Sequence, residues 1–150
     1  MQIWVDADAC PRAVKDILYK VSFRTKTTIT FVANRWLSLP DSVWLRMKVV
    51  GKGFDVADNV IVEELEKGDL VITADIPLAS DVIDKGGHVL SPRGVFFTPE
   101  TIRERLSVRN FMDELRESGV QTGGPSSFGA REKQNFANKL DRFLATGRTD

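Results

Sequence analysis

Five aspartates stand where a strand hands over to a helix or where a helix begins. Asp6 and Asp8 follow the apolar run Ile3-Trp4-Val5, Asp55 and Asp58 open "DVADNVIVEEL", and Asp75 follows Leu70–Thr73, "LVIT". Carboxylates gathered in one place suit a hard divalent cation such as Mg²⁺ or Mn²⁺, which prefers oxygen ligands. If the strands that end near Asp6 and Asp75 are neighbours, their ends lie about 5 Å apart. Carboxylates held that close raise each other's pKa unless a cation sits between them. Each acid also has an ordinary role open to it. Asp55 can cap the helix that starts at Val56, and Asp58 falls where negative charge complements the helix dipole. Asp75 can cap the helix that follows it, and Asp8 can orient the turn before Pro11.

Other groups suit an anionic partner. Arg93, in "SPRG", follows a short strand and has the planar fork that matches a phosphate. "GGPSSFGAR", ending at Arg131, reads as a loop feeding a helix N-terminus, where backbone N–H groups can hold an anion. It lacks the G-x-x-x-x-G-K-[ST] pattern, so a nucleoside-triphosphate P-loop is not supported. Arg93 and Arg131 are therefore the candidate substrate-binding cations, against the commoner readings of a surface-turn arginine and a plain linker. Trp36, Trp44 and Phe128 have rings that can stack on bases, against a default role in packing. Cys10 falls at a helix start, where a thiol pKa can be lowered, but no histidine lies nearby in sequence to make it a nucleophile.

The bulk properties narrow the field. The chain has 150 residues, 42% hydrophobic and 28% charged, with a net charge of zero. This is the composition of a folded globular domain. One cysteine (Cys10) and one histidine (His88) exclude an intrachain disulfide and a Cys/His zinc site. No charged leader, signal-like segment or membrane-length apolar run is present, which implies a cytoplasmic protein without a membrane partner. Charge is segregated: residues 1–54 carry nine Lys/Arg against four Asp/Glu, residues 55–84 one against nine, and residues 85–150 eleven against eight. An acidic middle between basic segments suits a carboxylate cluster framed by phosphate-attracting side chains, although acids that merely solvate helix faces give the same count.

The elements that must position these groups alternate. Ile3–Val5 reads as a strand, and Val14, Ile17, Leu18 and Val21 keep the spacing of an amphipathic helix. Thr27–Ala33 and Leu45–Val50 read as strands, with a loop between them. A helix from Val56 to Leu65, a strand at Leu70–Thr73, a helix at Pro77–Asp84 and a strand at His88–Leu90 follow. Thr98-Pro99 opens a further helix, broken near Ser107 and resuming to Leu115. Residues 118–129 form a glycine- and serine-rich loop, and Phe136, Leu140, Phe143 and Leu144 seat the last helix on the core. Continuous apolar strands alternating with helices predict one α/β domain spanning 1–150: three layers, a mostly parallel central sheet, helices on both faces. Strands Ile3–Val5 and Leu70–Thr73 should be adjacent in its interior. In open sheets of this kind ligands bind outside the carboxyl ends of the strands.

"IWVDADACP", "GFDVADNVIVEEL", "GDLVITADIPLA", "SPRG" and the closing "FANKLDRFL" resemble the YaiI/YqxD family of small bacterial proteins along nearly the whole chain. The pattern is in turn similar to PIN-like and NYN-type ribonuclease domains, whose acids bind Mg²⁺ or Mn²⁺ to cut phosphodiesters. The resemblance implies that Asp6 matches the acid closing the first strand in those nucleases. "KGFD" resembles their K-G-x-D segment and points to Asp55, and "ITAD" resembles their S-G-D segment and points to Asp75. Those domains place another Asp two residues later, where this chain has Pro77, so Asp8 or Asp58 would have to complete a metal site with Asp6 and Asp75. The activity so implied is a metal-dependent phosphodiesterase directed at RNA rather than DNA. Two alternatives stay open: a non-catalytic nucleic-acid or nucleotide-binding module on a degenerate nuclease fold, and a phosphatase using "VDADAC" as a D-x-D pair, with Asp6 as nucleophile and Asp8 as general acid. The oligomeric state is left open.

Overall fold

Apolar runs bounded by charge and glycine become the strands of one sheet. The computed structural model describes residues 1–53, 56–107 and 128–149. Five strands, β1 (Ile3–Asp6), β2 (Ile29–Ala33), β3 (Leu45–Val49), β4 (Leu70–Ile72) and β5 (His88–Leu90), lie in the order β3-β2-β1-β4-β5. Every neighbouring pair is parallel, and an isolated antiparallel bridge joins Leu90 to Phe96. The helices are α1 (Arg12–Thr25), α2 (Val56–Glu64), α3 (Ile76–Asp84), α4 over residues 99–107, and α5 (Ala130–Thr146). The expected three-layer α/β arrangement is present, consistent with a PIN-like fold, and its sheet is wholly rather than mostly parallel. The expected continuation of α4 towards Leu115 and the loop at 118–127 fall outside the described residues.

The period-2 alternation of strand side chains divides the core in two. Ile3, Val5, Ile29, Phe31, Leu70, Ile72 and Leu90 face α1 and α5, meeting Val14, Leu18, Phe136 and Leu140. Trp4, Val32, Val71 and Val89 face the other way, onto Ile61 of α2, Leu78 and Val82 of α3, and Ile102 of α4. Phe136 is fully buried, and truncating such a ring to alanine costs about 3–5 kcal/mol. β2 and β3 are parallel yet joined by residues 34–44 without a helix; Leu37 and Leu39 from this loop pack on the first core in its place.

One buried acid fixes the register. Asp69, only 2% exposed, accepts hydrogen bonds from Trp4 Nε1 (3.1 Å), Gln2 N (3.1 Å) and Glu66 N (2.9 Å). A buried carboxylate is tolerated when donors replace its water, and these three pin the start of β1 to the start of β4. The strands are shorter than their apolar runs. Thr27 and Thr28 precede β2, Val50 follows β3, and Thr73 follows β4, its N–H still bonded to Leu90 O at 3.3 Å.

Candidate active site at the carboxyl edge of the sheet

The chain runs from β1 outward through α1 to β2 and β3, then returns by α2 to β4 on the far side of β1. The order reverses between β1 and β4. In open α/β sheets the crevice outside the strand ends at such a reversal is where ligands bind. Asp6 closes β1 at that point and is half-buried. Thr73 follows β4 beside it and is 2% exposed.

Thr73 Oγ1 donates to Asp6 Oδ2 at 3.0 Å and accepts the backbone N–H of Asp75 at 3.0 Å. One hydroxyl therefore ties both acids together. Asp75 is the N-cap of α3: its Oδ1 accepts from Leu78 N at 2.9 Å, and Pro77 in the first turn needs no N–H partner. The capping role open to Asp75 is thus realised, and Oδ2 has no hydrogen-bond partner among the described residues. Asp8 lies in a single 3₁₀ turn over Ala7–Ala9, and its Oδ2 accepts from Asn34 N, at the end of β2, at 2.9 Å.

Burial raises the Asp6 pKa above its ordinary 3.8; the Thr73 hydrogen bond opposes this, and the charges of Asp75 and Asp8 add to it. Asp6, Asp8 and Asp75 therefore share one electrostatic neighbourhood. Asp58 sits in the first turn of α2, whose N-terminus follows β3 and so belongs to the same edge of the sheet. Asp55 lies outside the described residues. Among the described residues no three His, Cys, Asp or Glu side chains form a group that could hold a metal ion. The donor chemistry available is instead the Asp6–Asp75 pair. That set fits Mg²⁺, which is usually held by one or two carboxylates, with water and substrate phosphate completing its shell.

The basic residues occupy the flank beyond β5. Arg93 Nη1 stands 3.7 Å from Glu132 Oε1. Glu132 Oε2 in turn accepts from Gly129 N at 2.9 Å at the start of α5, next to the exposed Arg131. Backbone N–H groups of Glu132 and Gly129 hold the Glu132 carboxyl below its ordinary value, with Arg93 and Arg131 assisting. "SPRG" is also a docking turn. Gly94 has φ +85°, and a Cβ there would fall 2.6 Å from the Asn135 carbonyl carbon and 2.7 Å from Phe136 N. Arg93 and Arg131 thus come to one place, two strands away from Asp6.

Cys10 is buried, in keeping with its not being expected as a nucleophile. Burial pushes its thiol up to about 12, so the helix start does not activate it. Of the aromatic candidates, Trp36 is 71% exposed, while Trp44 and Phe128 are half-buried. Asn34 is not among the expected site residues, and Thr73 enters only as the residue closing the "LVIT" strand. The only signal for Thr73 was a hydroxyl closing an apolar run two residues before Asp75.

A sequence model of the family described as "Uncharacterized BCR, YaiI/YqxD family" matches residues 4–146. The chain belongs to the YaiI/YqxD family. It is 59% identical over 144 residues to a UPF0178 protein of Pectobacterium carotovorum subsp. carotovorum (strain PC1), covering 96% of each chain. It is 58% identical over 144 residues to a UPF0178 protein of Shewanella pealeana, covering 96% of this chain and 95% of the other. A UPF0178 protein of Yersinia pestis (strain Pestoides F) is 57% identical over 148 residues, covering 99% and 97%. No solved structure gives a significant match. Among the described residues no helix of this YaiI/YqxD protein is long and apolar enough to cross a membrane.

Proposed function

We propose that this YaiI/YqxD protein is a phosphodiesterase that acts on RNA and depends on Mg²⁺ or Mn²⁺. The observation that carries the reading is the Asp6–Thr73–Asp75 linkage at the reversal point of the sheet. Asp6 and Asp75 would hold the cation, with Asp8 at the rim. A divalent ion held there lowers the pKa of a water and neutralises charge on the phosphoryl group. Thr73 fixes the Asp6 carboxylate by occupying Oδ2, which leaves Oδ1 for the ion. Asp75 is fixed likewise through Leu78 N. Arg93 and Arg131 would bind phosphates on the β5 flank. The Arg93–Glu132 pair is long and partly exposed, a geometry worth little in stability. Burial of Asp6 suits the same end, because a half-desolvated carboxylate beside other acids gains more from a cation than one in open water.

One observation favours a second reading, a nucleic-acid-binding module without turnover: two carboxylates, not three, are the donors grouped among the described residues. The phosphatase reading needs Asp8 as a proton donor, whereas Asp8 Oδ2 accepts the Asn34 N–H. The test is cleavage of a labelled single-stranded RNA with Mn²⁺ and with EDTA. The proposal expects cleavage with Mn²⁺ alone and its loss in Asp6→Asn. RNA that binds but stays intact with every divalent ion tried would transfer the protein to the second reading.

A further inference from the structure

The loop after β2 displays an aromatic and a cation beside the acids. Asn34 N is tied to Asp8 Oδ2 at 2.9 Å, so this end of the loop is anchored to the acidic edge. Trp36 lies two residues further along the chain, at most about 7 Å away. Leu37 and Leu39 pack into the core, which turns Trp36 and Ser38 outward. Trp36 is thus held out by its neighbours, with 71% of its surface in water. It borders a groove of about 370 Å³ with Pro40 and Met47, whose polar lining includes Ser38 and the Asp41 carboxylate; Arg35 lies outside that lining. That volume falls in the range of small-ligand sites. Arg35, exposed beside it, has no ion pair among the described residues.

We propose that Trp36 and Arg35 form a subsite for one unpaired nucleotide, the base stacked on the indole and its phosphate against the guanidinium. Arg35 precedes Trp36 in the chain and both are exposed, so a base can lie on the indole with its phosphate on the Arg35 side, away from Asp41. An exposed cation next to a stacking ring fits a nucleotide better than an apolar partner surface. The subsite rests on the reading of this protein as one that acts on RNA, and it names the form of RNA taken. A base inside a duplex has no free face for Trp36, so the strand that reaches Asp6 from this side must be single.

The experiment separates binding from cleavage by working in EDTA. Anisotropy of a labelled single-stranded oligoribonucleotide gives affinity, and tryptophan fluorescence in a Trp44→Phe background reports stacking on Trp36, with buried Trp4 as an internal constant. Wild type should bind the single strand with quenching and bind a duplex of the same sequence more weakly. Trp36→Ala should weaken single-strand binding about tenfold, and Trp36→Phe should retain most of it. Arg35→Ala should reduce the slope of log affinity against log salt by about one. The subsite is overturned if Trp36→Ala binds as wild type does, if duplex binds equally well, if no oligonucleotide binds, or if sedimentation shows that Trp36 instead joins a second copy of the chain. Trp36-dependent binding without Mn²⁺-dependent cleavage would sink the phosphodiesterase reading alone. Cleavage at an unchanged rate and affinity in Trp36→Ala would sink the subsite alone.

Discussion

Thr73 Oγ1 lies 3.0 Å from Asp6 Oδ2, across the junction of two parallel strands that are far apart in sequence. The same oxygen accepts the Asp75 N–H. This single hydroxyl joins the Asp6 carboxylate to the Asp75 backbone, making the end of β1 and the start of α3 one unit where the sheet reverses direction. Two acids in this setting are costly without a counter-ion, and the consequences are measurable.

Replacing Asp6 should stabilise the metal-free protein at neutral pH. Burial raises the folded-state pKa of Asp6 above 3.8, so the native state holds its proton more tightly than the unfolded chain. The favourable contribution of the protonated form is fully present below the unfolded value and is lost as pH rises through the folded one. Asp6→Asn keeps an acceptor for Thr73 and removes the charge. In EDTA its urea midpoint should exceed that of wild type at pH 8, with the gap closing as pH falls towards 4. A gap that is absent, or constant across that range, would show that Asp6 carries no electrostatic strain.

Gly94 should tolerate no side chain. Its φ of +85° and the α5 backbone 2.6 Å from a would-be Cβ combine conformational strain with overpacking. Gly94→Ala should destabilise by on the order of 3 kcal/mol, read as a lower urea midpoint with an unchanged slope. A loss below about 0.5 kcal/mol, the level of an ordinary surface substitution, would mean that α5 does not dock on this turn.

Much of the architecture was legible because burial on both faces leaves a plain mark. "IWV" and "LVIT" have no polar alternation, which placed them inside a sheet, and adjacency of β1 and β4 followed. The helix spacing from Val14 to Val21 and from Phe136 to Leu144 likewise pointed to the faces that are buried. Asp69 was not legible, since an acid in an acidic segment looks like a solvated one until Trp4 Nε1 is seen to reach it across the sheet. Arg93 stood out as a candidate phosphate ligand, but its pairing with Glu132 joins residues distant in sequence and leaves no local trace. Thr73 is β-branched, so at the end of an apolar run it reads as one more strand residue.

The central claim is that Asp6 and Asp75 share a divalent cation, and thermal unfolding with and without Mn²⁺ tests it most directly. Binding to the folded state alone at about 100 times the dissociation constant stabilises by about 2.7 kcal/mol, roughly 5–10 °C for a chain of this size. Asp75→Asn keeps an acceptor for Leu78 N and removes one charge of the pair. Wild type should melt higher with millimolar Mn²⁺, and Asp75→Asn should lose most of that shift while its metal-free melting stays equal or rises slightly. A wild-type melting temperature indifferent to millimolar Mn²⁺ and Mg²⁺ would contradict the claim and leave Asp75 as a helix cap alone.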